Sequence, residues 1–172
     1  MGSLEKLVEM RNITKKFSGV TALNNISFDI RRGEVHVLLG ENGAGKSTLM
    51  KILSGAYQPT SGTIILKDKE YEHLTPKDSY ENGISIIYQE LSVINELSVQ
   101  ENLFVGKLPT KKVLGLNIVD YGKMKEIATV LTKKVGLESV IKNTPAELSG
   151  GQQQRVAIAR AIVTDPLLLL AD

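Results

Sequence analysis

The sequence predicts an α/β fold built around a phosphate-binding loop, and three observations carry that expectation. Gly40-Glu41-Asn42-Gly43-Ala44-Gly45-Lys46-Ser47 fits the pattern G-x-x-x-x-G-K-[ST]. The apolar, β-branched run Val35-His36-Val37-Leu38-Leu39 precedes it and reads as a buried strand, while Leu49, Ile52 and Leu53 follow it at helical spacing. About a hundred residues later comes a second glycine motif, Leu148-Ser149-Gly150-Gly151-Gln152. Strand, glycine loop and helix in that order form the context in which such a loop holds phosphate.

The elements follow in chain order. Residues 5–35 carry short strand-like pieces such as Ile26-Ser27-Phe28-Asp29-Ile30, turned at Arg32-Gly33-Glu34. After the turn Pro59-Thr60-Ser61-Gly62 comes a strand, Gly62-Thr63-Ile64-Ile65-Leu66, and Ile84-Ser85-Ile86-Ile87-Tyr88 reads as another. From about residue 91 the pattern turns helical. Ser98-Val99-Gln100-Glu101 is a capping box ahead of Asn102-Leu103-Phe104. Met124, Ile127, Ala128, Leu131 and Val135 mark one face of a helix that ends at Gly136, and Pro109 to Gly115 reads as a loop between these helices. Ser149 caps a helix running from Gln152 to Val163, which Asp165-Pro166 ends, and Leu167 to Ala171 is a last strand leading to Asp172.

The chemistry of the first motif follows from its atoms. Glycines at 40, 43 and 45 give the loop conformations barred to residues with a Cβ, so that backbone N–H groups converge on phosphate oxygens. The helix N-terminus adds partial positive charge. The nucleotide-binding set is therefore Gly40, Glu41, Asn42, Gly43, Ala44, Gly45, Lys46, Ser47 and Thr48. Lys46 would reach the terminal phosphates as a point charge, and the Ser47 hydroxyl would ligate Mg²⁺. In the second motif Gly150 and Gly151 leave N–H groups uncovered at another helix start, a second anion site.

The block from Leu148 to Asp172, with Gln89 upstream, resembles the ATP-binding-cassette (ABC) ATPases. The resemblance implies a P-loop NTPase with a RecA-like core in two segments, an N-terminal antiparallel β portion and a helical subdomain. Residues 1–172 would then be one incomplete nucleotide-binding domain, with the core over 1–90 and 153–172 and the helical subdomain over 91–152. ATP and Mg²⁺ are the implied cofactors. Phe17 matches the aromatic that stacks on adenine, and Gln89 the glutamine that contacts Mg²⁺ or the attacking water. Ser149, Gly150, Gly151 and Gln152 match the signature that meets the γ-phosphate held by a second subunit. Asp172 matches the aspartate that holds Mg²⁺ opposite Ser47, and Lys46 and Gln89 are the implied catalytic residues. The implied partners are a second nucleotide-binding domain, stacked head to tail, and membrane-spanning permease subunits. The implied location is cytoplasmic, peripheral to the inner membrane through those partners.

Over residues 5–140 the run Val35 to Gly55, the run Tyr88 to Ser98, and Thr110-Lys111-Lys112 through Asp120 resemble the first cassette of monosaccharide importers of the ribose and allose type. From Glu147 to Asp172 the chain looks more like lipoprotein-release or macrolide-export ATPases. The family's catalytic glutamate, D-loop and switch histidine would follow Asp172, so ATP binding is expected of these residues and efficient hydrolysis by them alone is not. Three functions are weighed: a transport ATPase, with sugar import favoured over export; a module that binds ATP without hydrolysing it; and a chromosome-maintenance ATPase. The last inserts long coiled coils between the two motifs, where this chain has about a hundred residues.

Composition narrows the classes. With 21 basic and 19 acidic residues the net charge is +2, which gives no footprint for nucleic acid. There is no cysteine, so thiol and disulfide chemistry does not arise, in line with a reducing compartment. No apolar run reaches the roughly 18–20 residues of a membrane span. The edge of the last strand is expected to be exposed and prone to self-association.

Overall fold

The computed structural model describes residues 5–89 and 93–172; residues 90–92, part of the importer-like run, lie outside the described residues. The chain divides into two compact units, one of residues 1–86 with 167–172 and one of residues 87–166.

In the first unit, two long strands, β1 (Lys6–Phe17) and β2 (Val20–Arg31), form an antiparallel pair. The sheet is completed by β3 (Ser61–Leu66) and β4 (Lys69–Tyr71) in the order β2-β1-β3-β4. Alternation decides which face is buried: Val8 and Met10 of β1 stand opposite Leu66 and Ile64 of β3, and all four are buried. Helix α1 (Lys46–Leu53) lays Leu49, Ile52 and Leu53 into the same core. A short helix, α2 (Pro76–Glu81), was not foreseen, although its start signal is present. Thr75 and Asp78 form a reciprocal capping box with proline at the first helical position. Strands β5 (Ile84–Ile87) and β8 (Leu168–Ala171) make a separate two-stranded sheet, and Ile84 and Leu170 join the core.

The expectation of a buried strand over Val35–Leu39 is corrected. Residues 34–40 belong to no strand, and Val35 and Leu39 are 90% and 89% exposed. Leu38 alone packs against the core; the exposed His36 has its ring 5.5 Å from that of Phe28 and its Nδ1 2.8 Å from Glu34 Oε1. The reason is a missing neighbour. An apolar cavity of about 440 Å³ lies between residues 34–38 and β8, so the segment has no backbone alongside to pair with.

The second unit is mainly helical. Helix α3 (Val99–Leu103) begins at the expected capping box, Ser98 with Glu101. Helix α4 (Tyr121–Lys134) starts at Asp120, whose carboxylate accepts from Lys123 N, and ends before Gly136. Helix α5 (Gly150–Ile162) starts at Ser149. The sequence divides α5 at residue 152; in the structure all of it belongs to the second unit. Val99, Leu103, Phe104, Met124, Ala128 and Val156 anchor a core of its own. The expected loop over Pro109–Gly115 is instead half of a hairpin, β6 (Thr110–Val113) and β7 (Leu116–Val119), which register Val113 with Leu116 and Lys111 with Ile118. Leu114-Gly115 is a two-residue turn of the kind that closes hairpins. Among the described residues no helix is long and apolar enough to cross a membrane.

Candidate functional site

The first unit brings the loop, the helix start and the chain's last aspartate together. Gly45 is the N-cap of α1 in the left-handed conformation, at φ 86°, and it caps without a side chain. A Cβ there would lie 2.5 Å from the Ala22 carbonyl oxygen and 2.7 Å from Leu23 Cδ2, so only glycine lets the loop pass so close to β2. Glu41, Asn42, Gly43 and Ala44 are exposed at the crest, closed by a hydrogen bond from Ala44 N to Glu41 O of 3.1 Å. The Lys46 ammonium folds back across the loop and donates to the carbonyls of Gly40 and Glu41 at 2.8 and 2.9 Å. Ser47 and Thr48 sit in the first turn of α1, half-buried.

The Ser47 hydroxyl donates to Asp172 Oδ1 at 2.7 Å across 125 residues of sequence. Strand β8 delivers that aspartate at its carboxyl end, where open α/β sheets place their ligand chemistry. Two hard oxygens on one spot beside a lysine and an open helix N-terminus suit a divalent cation carrying phosphate. Among the described residues no cluster of three or more His, Cys, Asp or Glu that could hold a metal ion exists.

Phe17, at the end of β1, is partly exposed and meets Tyr57 edge to face, with ring centroids 5.5 Å apart and planes at 72°. Lys15 Nζ stands 5.0 Å over the Phe17 ring, and Lys51 Nζ 5.4 Å over Tyr57. Tyr57 was missed by sequence reasoning. Its signal would have been the aromatic following Gly55-Ala56, a position with no periodic pattern to mark it.

The other expected residues lie in the second unit. Gln89 is exposed, two residues beyond β5. Ser149 and Gln152 cap α5 reciprocally: the Gln152 side chain accepts from Ser149 N at 2.8 Å, and the Ser149 hydroxyl accepts from Gln152 N at 3.3 Å. A Cβ at Gly150 or Gly151 would meet nothing within 4 Å, so no packing among the described residues requires glycine there. The open ground faces outward. Gln153 donates to Pro145 O at 2.8 Å and ties the helix start to the preceding turn. Farther along α5, half-burial pushes the Arg160 guanidinium below its ordinary pKa. Lys107 is lowered first by burial and then by the Arg160 charge. Asn102 was also missed: fully buried, it accepts from Ile94 N at 2.8 Å and donates to the carbonyls of Ile94, Leu97 and Ser98. A buried amide satisfied on both sides fixes the segment entering α3.

The fold and the loop define a P-loop ATPase cassette. Residues 23–172 match the family described as ABC transporter, and the chain belongs to that family. It is 44% identical over 165 residues to the D-allose import ATP-binding protein AlsA of Escherichia coli, covering 96% of this chain and 32% of that protein. It is 45% identical over 168 residues to the xylose import ATP-binding protein XylG of Moorella thermoacetica, covering 96% of this chain and 32% of that protein. The likeness to sugar-import proteins therefore runs well past residue 140, the limit that the motifs alone suggest. Among solved structures, the ADP conformation of MJ1267, an ATP-binding cassette of an ABC transporter, matches with a TM-score of 0.81 and 28% identity, covering 95% of this chain and 67% of that one. The dimeric post-hydrolysis state of the cassette MJ0796, bound to ADP and Pi, matches with a TM-score of 0.80 and 30% identity, covering 96% and 73%. The chain spans about a third of the length of the curated relatives it matches.

Proposed function

We propose that this chain is the nucleotide-binding part of an ABC importer ATPase that uses Mg-ATP to drive uptake of a monosaccharide. The observation that carries the nucleotide reading is the convergence of Lys46, Ser47 and Asp172 on one helix start, with the Ser47–Asp172 bond at 2.7 Å. In this reading the loop N–H groups and Lys46 hold the β- and γ-phosphates, Ser47 and Asp172 hold Mg²⁺, and Phe17 supports the base. The cation neutralises charge that develops on the transferred phosphoryl group. Lys46 and Gln89 carry the catalytic roles, and Ser149, Gly150, Gly151 and Gln152 meet the nucleotide of a second cassette stacked head to tail. The uncrowded glycines at 150 and 151 support that role, because they leave backbone donors open toward the outside. Permease subunits complete the assembly and place it at the inner face of the membrane. The sugar class rests on the relatives for allose and xylose import.

Calorimetric titration of Mg-ATP against the chain and against Lys46→Ala tests the nucleotide reading. Saturable binding that falls at least tenfold in the variant is expected. Equal binding by both would overturn it.

A further inference from the structure

Among the described residues six non-glycines hold positive φ: Asn12, Asn25, Lys67, Asp68, Leu114 and Asp165. Asparagine and aspartate tolerate that region because their short polar side chains bond locally. Leu114 is the one apolar member. It occupies the first central position of the β6–β7 turn at φ 50°, followed by Gly115 at φ 83°, a pairing for which Asn-Gly is the favoured sequence. Leucine there strains the turn, and its side chain is 99% exposed. Local stability is thus given up to hold an aliphatic group in solvent, and such an outlier points to function.

The rest of the hairpin is arranged around that tip. Val113 pairs with Leu116 and Lys111 with Ile118, so these four share one face, and the three apolar members are exposed. Lys112 opposes Asn117 on the other face. From residue 107 to residue 119 there are lysines at 107, 111 and 112 and no acidic residue. The first carboxylate is Asp120 at the base, 3.8 Å from Lys111 Nζ.

We propose that the hairpin tip, residues 113–116, enters the headgroup boundary of an anionic lipid surface, with Lys111 and Lys112 set behind it against the headgroups. Charge selects this occupant. A projecting aliphatic turn backed by lysines and free of carboxylates complements a surface of uniform negative charge. The inference goes beyond nucleotide binding and does not depend on it.

Flotation of the chain with vesicles tests it, comparing phosphatidylcholine alone with phosphatidylcholine containing about one-third phosphatidylglycerol. The chain is expected to float with the anionic vesicles only, and less as salt rises. Leu114→Asn suits the turn, so it leaves the melting temperature equal or higher while lowering partition roughly tenfold. Lys111→Gln with Lys112→Gln lowers it roughly twenty-fivefold, near fivefold for each lysine. ATP titration of the same variants is expected to be unchanged, which separates loss of this surface from loss of the nucleotide site. Absence of flotation on anionic vesicles overturns the proposal in favour of a protein partner for the hairpin. Equal flotation of Leu114→Asn, or equal flotation on neutral vesicles, overturns it as well.

Discussion

Gly43 and Gly45 lie two residues apart at nearly the same backbone angle, φ 85° and φ 86°, yet their surroundings differ. A Cβ at Gly43 would meet nothing within 4 Å. At Gly45 it would lie 2.5 Å from Ala22 O and 2.7 Å from Leu23 Cδ2. Gly43→Ala therefore incurs only the cost of a left-handed alanine, about 1–2 kcal/mol. Gly45→Ala incurs the same cost plus overpacking of about 1–3 kcal/mol. Ala22 is the extra residue of an irregularity in β2, between the pairs Lys15–Leu23 and Lys16–Thr21, so relief is confined to that one residue while its neighbours stay paired with β1. The difference between the two variants is then about 1–3 kcal/mol, or roughly 5- to 150-fold in the folding equilibrium.

Urea denaturation followed by circular dichroism measures that difference directly, with both variants and the parent chain at one pH and salt concentration. The midpoint is expected to fall modestly for Gly43→Ala and clearly further for Gly45→Ala, with similar slopes. Coincident midpoints for the two variants would refute the argument, since the close approach of the loop to β2 would then have no energetic weight.

Three further outcomes are expected. Phe17→Ala and Tyr57→Leu each weaken ATP binding by about 1 kcal/mol, near fivefold, and leave inorganic triphosphate affinity unchanged; calorimetry with both ligands reads the split. Asn102→Ala removes the side-chain partner of Ile94 N and Leu97 O, while Ile94 O and Ser98 O keep backbone donors, and costs about 2 kcal/mol, read as a lower thermal midpoint. The Glu101 carboxyl is held below its ordinary range, first by the Ser98 hydroxyl and then by the Ser98 backbone N–H. A depressed carboxylate stabilises fully above its unfolded pKa, and that contribution is lost as pH falls through the folded value, so Glu101→Gln is expected to flatten the acid side of the stability profile.

What the sequence disclosed and what it hid divide along one physical line. Caps and glycine turns are local: the Ser98–Glu101 capping box and the Ser149 cap form as read, Gln152 adds a reciprocal bond that was not read, and Gly45 opens α1 at Lys46. The Lys46 contacts to Gly40 and Glu41 are local in the same sense. The Ser47–Asp172 bond is not, and it was reachable only because both positions match a known pattern. Strand formation is a relation between two backbones, so the β-branched run Val35–Leu39 could announce its tendency but not its partner. Only Leu38 packs against the core, Val35, Val37 and Leu39 stay exposed, and the ladder does not form across the 440 Å³ cavity facing β8. The opposite error at Pro109–Gly115 has the same root. Lysines, glycine and proline there suggested a loop, and cross-strand pairing of Val113 with Leu116 made a hairpin of it. Tyr57 and Asn102 escaped notice because a single aromatic or amide has no period. Their importance lies in what the fold brings to them, a ring at 5.5 Å in one case and four backbone groups in the other.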